Sequence, residues 1–592
     1  MTRSQSAALA AARRHLEQGR FDAADLIVSD VLAAAPAHAD ALVLRGTLLL
    51  SRGAQAQAFA LFSDLALRHP DHPDIAAHLG LLHRLEEREE EARFCFARAV
   101  ALAPQDAGHR AGFAALLVSL GDLAGARAEV EALFRLGQEQ GSAAVMAEAC
   151  SLAGRLAVLD NRPSEAMRHL RQALALRPDA VEDRALLCDM LARLEQRAEA
   201  LALAEGLYQE SPTDLGRALL LARRLLEARR LEEAERHLRR IVAASPAHPD
   251  ANEMLCECRL LRGEGAPALA AFAALLQRAP EDAGLLRRMA RLVRLSGDLE
   301  RALIFAQEAA RRAPEEAAAL SLRDELLLAL GRVSEVWPDR GAPPAPPSRL
   351  SLPQGVPAGM ALLLARLARR CVPPGGRLLC HAEAALVPLL RGVSWLAVTD
   401  APADAASVPL PALLPLLGVS ADDLGAPPYL AAEAGRHAAW AQAFADFPRP
   451  LIGLSFGDGR DAPTLEALAG PLRAALGGAG TLVSLAFDST RAGLRASPDI
   501  VDAGAAFQDA RDLIAAIAHL DLIVGGDGTA LHVAGALARP GIVLVPPLLP
   551  WAFAHEDGRA LWYPTVRVLR AARPGAWEDA VAALCARVRE LA

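Results

Sequence analysis

The chain of 592 residues contains no lysine, and all 63 of its basic residues are arginine. That excludes a lysine Schiff base and the lysine of a phosphate-gripping loop, so anion contacts must come from arginine, hydroxyls or backbone N–H groups. Aromatic residues are scarce as well, at 4% against 53% hydrophobic residues, a profile of alanine- and leucine-rich helices. A basic excess is missing: the net charge is −8, which argues against binding nucleic acid through a positive face. The eight cysteines are scattered, and Cys256 and Cys258 sit too close together for a zinc knuckle, so buried thiols are expected, with neither metal nor cofactor. The opening MTRSQSAALAAARRHLEQ lacks the apolar run of a signal peptide. No stretch of about 18 apolar residues escapes interruption by Arg, Gly or Pro, so no membrane span is expected and the location expected is cytoplasmic.

What the chain has is a beat. Alanine returns at Ala24, Ala58, Ala92, Ala126, Ala166, Ala200, Ala234, Ala268 and Ala302, every 34 residues except for one step of 40. Proline keeps the same time at Pro36, Pro70 and Pro104, and again from Pro178 through Pro212, Pro246 and Pro280 to Pro314. A larger apolar residue follows the alanine by four positions, as in Phe62, Phe96, Leu238 and Phe272. A small one recurs earlier, as in Gly46, Gly80, Ala114 and Cys188. A period of this length is one helix–turn–helix unit, with small residues where helices cross closely and proline where the second helix must stop.

These positions resemble the tetratricopeptide repeat, and residues 1–337 read as nine repeats and a closing helix, an α-solenoid. The six extra residues around FRLGQEQGSAA are expected to lengthen a helix or loop of the fifth unit. The resemblance implies a concave groove that takes a protein or peptide partner. The mixed Arg, Leu, Glu and Asp of the first helices do not identify that partner.

After Val336 the pattern stops, and residues 338–353, rich in proline, read as a linker. Short apolar runs then alternate with amphipathic stretches. RLLCHA, SWLAVTD, PLIGLSFGDG, TLVSLAFD, LDLIVGGDG and GIVLVP are predicted parallel strands, separated by helices such as ALLLARLARR and DARDLIAAIAH. The length suits two doubly wound α/β halves, 354–446 and 447–592, with a ligand crevice at the carboxyl ends of their strands.

The sharpest segment is HLDLIVGGDGTALHVAGALARPGIVLVP. A strand over 521–524 runs into Gly525-Gly526-Asp527-Gly528-Thr529, and a helix carrying His532 and Gly535 opens at once. Glycines at a strand end admit a ligand to the backbone, and the N–H groups of the helix start form an anion site. GGDGT also marks NAD kinases and diacylglycerol-type lipid kinases. Those place it before a large β-rich domain, whereas the 63 residues that follow it here read as one strand plus helices. The spacing from Asp527 to His532, Gly535, Arg539-Pro540 and an apolar strand, with the later LWYPTVRVLRAARPGAW, resembles the GT-B glycosyltransferases. The resemblance is to the bacterial heptosyltransferases and the O-GlcNAc-transferase-like proteins fused to tetratricopeptide repeats.

The resemblance implies a nucleotide sugar bound with its diphosphate at Gly528 and Thr529, Gly526 and Asp527 shaping the turn, and His532 facing the phosphate or ribose. Arg460 would screen the leaving diphosphate. A helix histidine satisfied by a neighbouring carbonyl is the other reading of His532. For the base of an inverting, metal-independent transfer, His381 and Asp458 are the candidates, with Asp400 beside them. Relatives carry an acidic residue in the first glycine-rich loop, where this chain has Ala358. The alternative is therefore a non-catalytic repeat scaffold with a degenerate transferase-fold domain. Trp551, Trp562 and Tyr563 suit either ligand stacking or the core.

Overall fold

The computed structural model describes residues 3–194, 196–336, 347–352, 356–372, 375–401, 403, 407–409, 413, 417, 424–425, 428–456, 463–487, 499–548, 550–573 and 575–591. They form two compact units, Met1–Glu233 and Ala234–Ala592.

The repeat region contains nineteen helices among the described residues, from Arg3–Glu17 to Ala317–Ala329, which make nine helix–turn–helix pairs and a closing helix. The recurring alanines decide the packing: all nine are at most 1% exposed. The larger residue four positions on occupies space left by the small residue of its own first helix. A Cβ on Gly46 would lie 2.4 Å from the Phe62 ring, and one on Gly80 would lie 2.7 Å from Phe96. Phe96 also reaches the next pair, where a Cβ on Gly112 would lie 2.9 Å away. These rings therefore fill gaps within a unit as well as between units.

A further beat marks the turn inside eight of the nine pairs. Gly19, Gly53, Gly121, Gly263 and Gly297 take positive φ there, and so do Glu87, Asn161 and Arg229, which lack glycine's freedom; Gly331 does the same after the closing helix. The six extra residues fall around FRLGQEQGSAA, and they lengthen the preceding unit as well as the fifth. They extend both the second helix of the fourth pair, Leu123–Gln140, and the first helix of the fifth, Ala143–Leu159. Gly141, left-handed at φ 60°, caps the first of these, and Ser142 accepts a hydrogen bond from the Val145 N–H to start the second.

Of the expected linker, 338–346 and 353 lie outside the described residues, but Arg349–Ser351 is a strand, β1. Leu350 is fully buried between β2 (Leu378–His381) and β4 (Val408–Pro409), and all three run parallel. With β3 (Leu396–Thr399) the order is β3-β2-β1-β4. Three residues after a proline run carry no readable period, and only pairing with partners distant in sequence makes them a strand.

The second sheet contains β5 (Leu451–Ser455), β6 (Thr481–Ser484), β7 (Val501–Asp502), β8 (Leu522–Gly525), β9 (Gly541–Val545) and β12 (Val566–Arg570). These run parallel in the order β12-β9-β8-β5-β6-β7. Ile452, Leu454, Leu522, Val524, Ile542 and Leu544 pack on the face bearing helices Leu465–Leu476 and Glu578–Arg589. Leu451, Ile523, Val543 and Val545 pack on the other face, toward Ala510–Ile517 and Thr529–Ala536. Buried alternation on both faces is why these strands read as continuous apolar runs.

An antiparallel hairpin, β10 (His555–Glu556) and β11 (Arg559–Ala560), adds to the edge at β12 and makes the sheet mixed. This corrects the expectation of one strand plus helices after GGDGT. Two-residue strands around the Asp557-Gly558 turn (φ 48° and 74°) leave no hydrophobic alternation to read. Helix Ala434–Ala443, assigned by sequence to the first half, packs on Ala510–Ile517 of the second. There Arg436 pairs with Asp512 at 2.5 Å.

Candidate functional site

Numbering the parallel strands of the second sheet from β5, their order is 3-2-1-4-5-6, with β7-β6-β5 on one side and β8-β9-β12 on the other. The order reverses between β5 and β8. In doubly wound sheets, ligands settle in the crevice at the carboxyl ends of the two strands flanking such a reversal. Ser455 and Gly525 are register partners at those two ends, and the Gly526 N–H donates to the Ser455 carbonyl at 3.2 Å. Gly526, Asp527, Gly528, Thr529 and His532 are thus brought together at the switch point.

The helix Thr529–Ala536 begins there without a cap. Gly528 is its N-cap residue, extended at φ −146°, with open space where a side chain would stand. Among the described residues, the Thr529 and Ala530 N–H groups have no hydrogen-bond partner. Unpaired donors at a helix start, at the positive end of the peptide dipoles, suit an anion.

His532 does not face open space. It is 3% exposed and both ring nitrogens are engaged: Nδ1 lies 3.0 Å from the Tyr563 hydroxyl and Nε2 lies 3.4 Å from Asp527 Oδ1. A carboxylate only accepts, so Nε2 carries the proton donated to Asp527. The ring enters a space left by Gly359 on the first-half helix Ala358–Ala365, where a Cβ would lie 2.3 Å from it. Tyr563 occupies a matching space at Gly535, also 2.3 Å from a would-be Cβ. The Tyr429 hydroxyl lies 3.4 Å from that of Tyr563 and donates to the Leu362 carbonyl at 3.2 Å. Burial pushes the Tyr429 hydroxyl up to about 12 and that of Tyr563 well above the usual phenol value, so both stay protonated.

The network leaves the Asp527 side chain, 41% exposed, as its one end open to solvent. The satisfied-histidine reading thus comes nearer than the ligand-facing one, with a carboxylate and a hydroxyl in place of a carbonyl. Trp562 and Tyr563 are core residues, each 1% exposed. Arg366 stacks on Trp562 and donates to its carbonyl at 2.9 Å. Sequence reading missed Gly359, Tyr429 and Arg366, whose only signal is contact across long separations.

The other expected site residues do not join this cluster among the described residues. Asp458 and Arg460 lie outside them, as do Gln354 and Gly355 of the first glycine-rich loop. His381 ends β2 in the first sheet, 9% exposed. Its Nδ1 lies 3.0 Å from the Ala401 carbonyl, and its buried Nε2 has no partner among the described residues. Asp400, just past β3, is exposed.

Residues 225–292 match the tetratricopeptide repeat family. The N-terminal region is a tetratricopeptide-repeat array. Among solved structures, a tetratricopeptide repeat protein from Parabacteroides merdae is similar at 14% identity, covering 43% of this chain and 98% of its own, with a TM-score of 0.33. Pseudomonas aeruginosa PilF is similar at 16% identity, covering 37% and 97%, also with a TM-score of 0.33. No curated protein matches the chain in sequence. The repeat assignment rests on the period, the helix pairs and the family match. Repeats of this kind mediate protein–protein interaction. No helix among the described residues is long and apolar enough to cross a membrane.

Proposed function

We propose that the C-terminal domain binds a nucleotide sugar in the manner of the GT-B glycosyltransferases it resembles, while the repeats recruit a protein or peptide acceptor. The observation that carries this is the uncapped helix start at the switch point between β5 and β8. The Thr529 and Ala530 N–H groups hold the donor's diphosphate, and the Thr529 hydroxyl adds a third donor. As the glycosidic bond to the diphosphate breaks, charge grows on the leaving oxygen, and donors fixed at the helix start stabilise it. Arg460 supplies the cation. Asp527 does not contact the diphosphate; it fixes the turn by accepting from His532. His381, with its unpaired buried nitrogen, and Asp458 remain the candidates to take the acceptor's proton.

A second reading is a sugar-nucleotide-binding module without turnover, joined to a repeat scaffold. Ala358 favours it, standing where relatives carry a carboxylate, and so does the closure of His532 against Gly359.

Titration calorimetry of the full chain with UDP-, GDP-, CMP- and ADP-sugars, with ATP as control, tests the binding claim. One nucleotide sugar should bind saturably, and Gly528→Asp should weaken it at least tenfold. The new carboxylate has room, satisfies the helix start itself and repels phosphate, while as an N-cap it adds a few tenths of a kcal/mol to stability. Binding unaffected by Gly528→Asp, or no binding by folded protein, sinks the proposal. Binding of ATP alone turns the reading toward the kinases. Sugar transfer to an added acceptor separates the two readings of the domain.

A further inference from the structure

A second polar cleft, of about 1100 Å3, lies where the closing repeat helix meets the C-terminal hairpin, and its lining includes Gly331, His555, Glu556, Asp557, Arg559 and Arg567. None of these belongs to the helix-start site. Arg570 from the end of β12 ties the two sides together, donating to the Gly297 carbonyl of the last repeat's turn at 2.7 Å. One turn further along, Leu561 packs on Gly331, which leaves 2.7 Å to a would-be Cβ.

Along one wall, Glu556, Arg559 and Arg567 are register partners across β10, β11 and β12. Directly opposed residues of antiparallel strands share a face, and like charges opposed there destabilise the pairing. Several arginines elsewhere in the domain hold carboxylates, as Arg436 does with Asp512, Arg449 with Asp521 and Arg587 with Glu590, and others, such as Arg539 and Arg570, donate to carbonyls. Among the described residues, Arg559 and Arg567 hold none.

We propose that Arg559 and Arg567 form a binding site for the phosphate group of a small hydroxyl-bearing phosphate ester. Two guanidinium forks present donors to the oxygens of one dianion, and a bridging dianion removes the repulsion that a lone carboxylate would only halve. Glu556 opposes Arg559 on the side away from Arg567, and Asp557 is at the hairpin tip, so the acidic end adjoins Arg559 and leaves Arg567 at the other end of the row. Those carboxylates accept from hydroxyls on the ligand's body. His555 adds no charge near neutral pH, because burial, and then Arg570, hold its imidazole below the usual value. This inference does not rest on the nucleotide-sugar reading.

The test is calorimetric titration of inorganic pyrophosphate into the full chain carrying Gly528→Asp, which closes the helix-start site, at low ionic strength. Saturable binding is expected, weakened at least tenfold by Arg567→Gln and by Arg559→Gln and unchanged by Arg587→Gln on the last helix. Thermal melts in anion-free buffer check folding: Arg567→Gln should be at least as stable as the parent, since it removes the opposed like charge, and Arg559→Gln should be about as stable, since it removes one like and one opposite neighbour. No binding to the Gly528→Asp protein overturns the proposal, as does equal binding by the Arg559→Gln/Arg567→Gln double variant.

Discussion

In the repeats, Gly46 and Gly80 leave room for the rings of Phe62 and Phe96; in the C-terminal domain, Gly359 and Gly535 leave room for those of His532 and Tyr563. The steric device is the same, and its consequences differ. At Gly46 and Gly80 the partners lie sixteen residues apart and the contact is apolar. Other repeats meet the same need with other pairs, such as Ala114 with Val130 and Gly154 with Leu170. An error there falls on one unit and its neighbours. At Gly359 and Gly535 the two rings are hydrogen-bonded to each other, and the chain of bonds ends at Asp527 beside the candidate anion site. A displaced ring there disturbs core and site together.

The largest expected effect tests that contrast directly. Gly535→Ala sets a methyl group 2.3 Å from the Tyr563 ring, in a helix that cannot move without moving the site. We expect a loss of about 3 kcal/mol, the upper part of the overpacking range, together with loss of ligand binding. Gly80→Ala, at 2.7 Å from Phe96, should cost about 1–2 kcal/mol and leave ligand binding intact. Urea unfolding of both variants reads the difference; equal costs would erase the distinction between the regions.

A smaller effect concerns pH. In the repeats, His109 Nε2 meets Asp74 at 3.0 Å across successive first helices. The bond raises the His109 imidazole and lowers the Asp74 carboxyl relative to their ordinary values. A raised histidine contributes stability that is present below its unfolded pKa and lost as pH rises through the folded one. A lowered aspartate contributes stability that is present above its unfolded pKa and lost as pH falls through the folded one. The pair therefore helps most from about pH 4 to about pH 6.5, the ordinary aspartate and histidine values. Protection of helices Pro73–Leu85 and Ala107–Ser119 against amide exchange should decline above that window by about 1 kcal/mol. In His109→Asn the decline should vanish; if it persists there, the pair is not its cause.

The smallest effect is a gain. Glu87 takes φ 58° at a position where most other repeats place glycine, so Glu87→Gly should add about 0.5–1 kcal/mol in a thermal melt. A loss would show that the Glu87 side chain serves some contact of its own.

Much of the fold was legible because it is local. The six apolar runs chosen as strands are all strands, and the glycine-rich turn opens a helix where the motif requires one. What escaped has no local signature. β1 is three residues long, β10 and β11 are two each, and the six inserted residues divide between two helices instead of swelling one element. At the candidate site, the sequence pointed to the turn and to His532, but the direction of that ring was settled by Gly359, 173 positions earlier, and by Tyr563.

The sequence by itself determined the repeat array, because a 34-residue unit stacks on its neighbours through contacts that recur at fixed separations. It also determined that a glycine-built helix start follows a buried strand. Only the tertiary structure decided that this start lies at the point where strand order reverses, that His532 is closed into the core with Asp527 as its one exposed neighbour, and that Arg559 and Arg567 face each other. Those arrangements depend on strand register and on close approaches between residues remote along the chain, and no spacing records them.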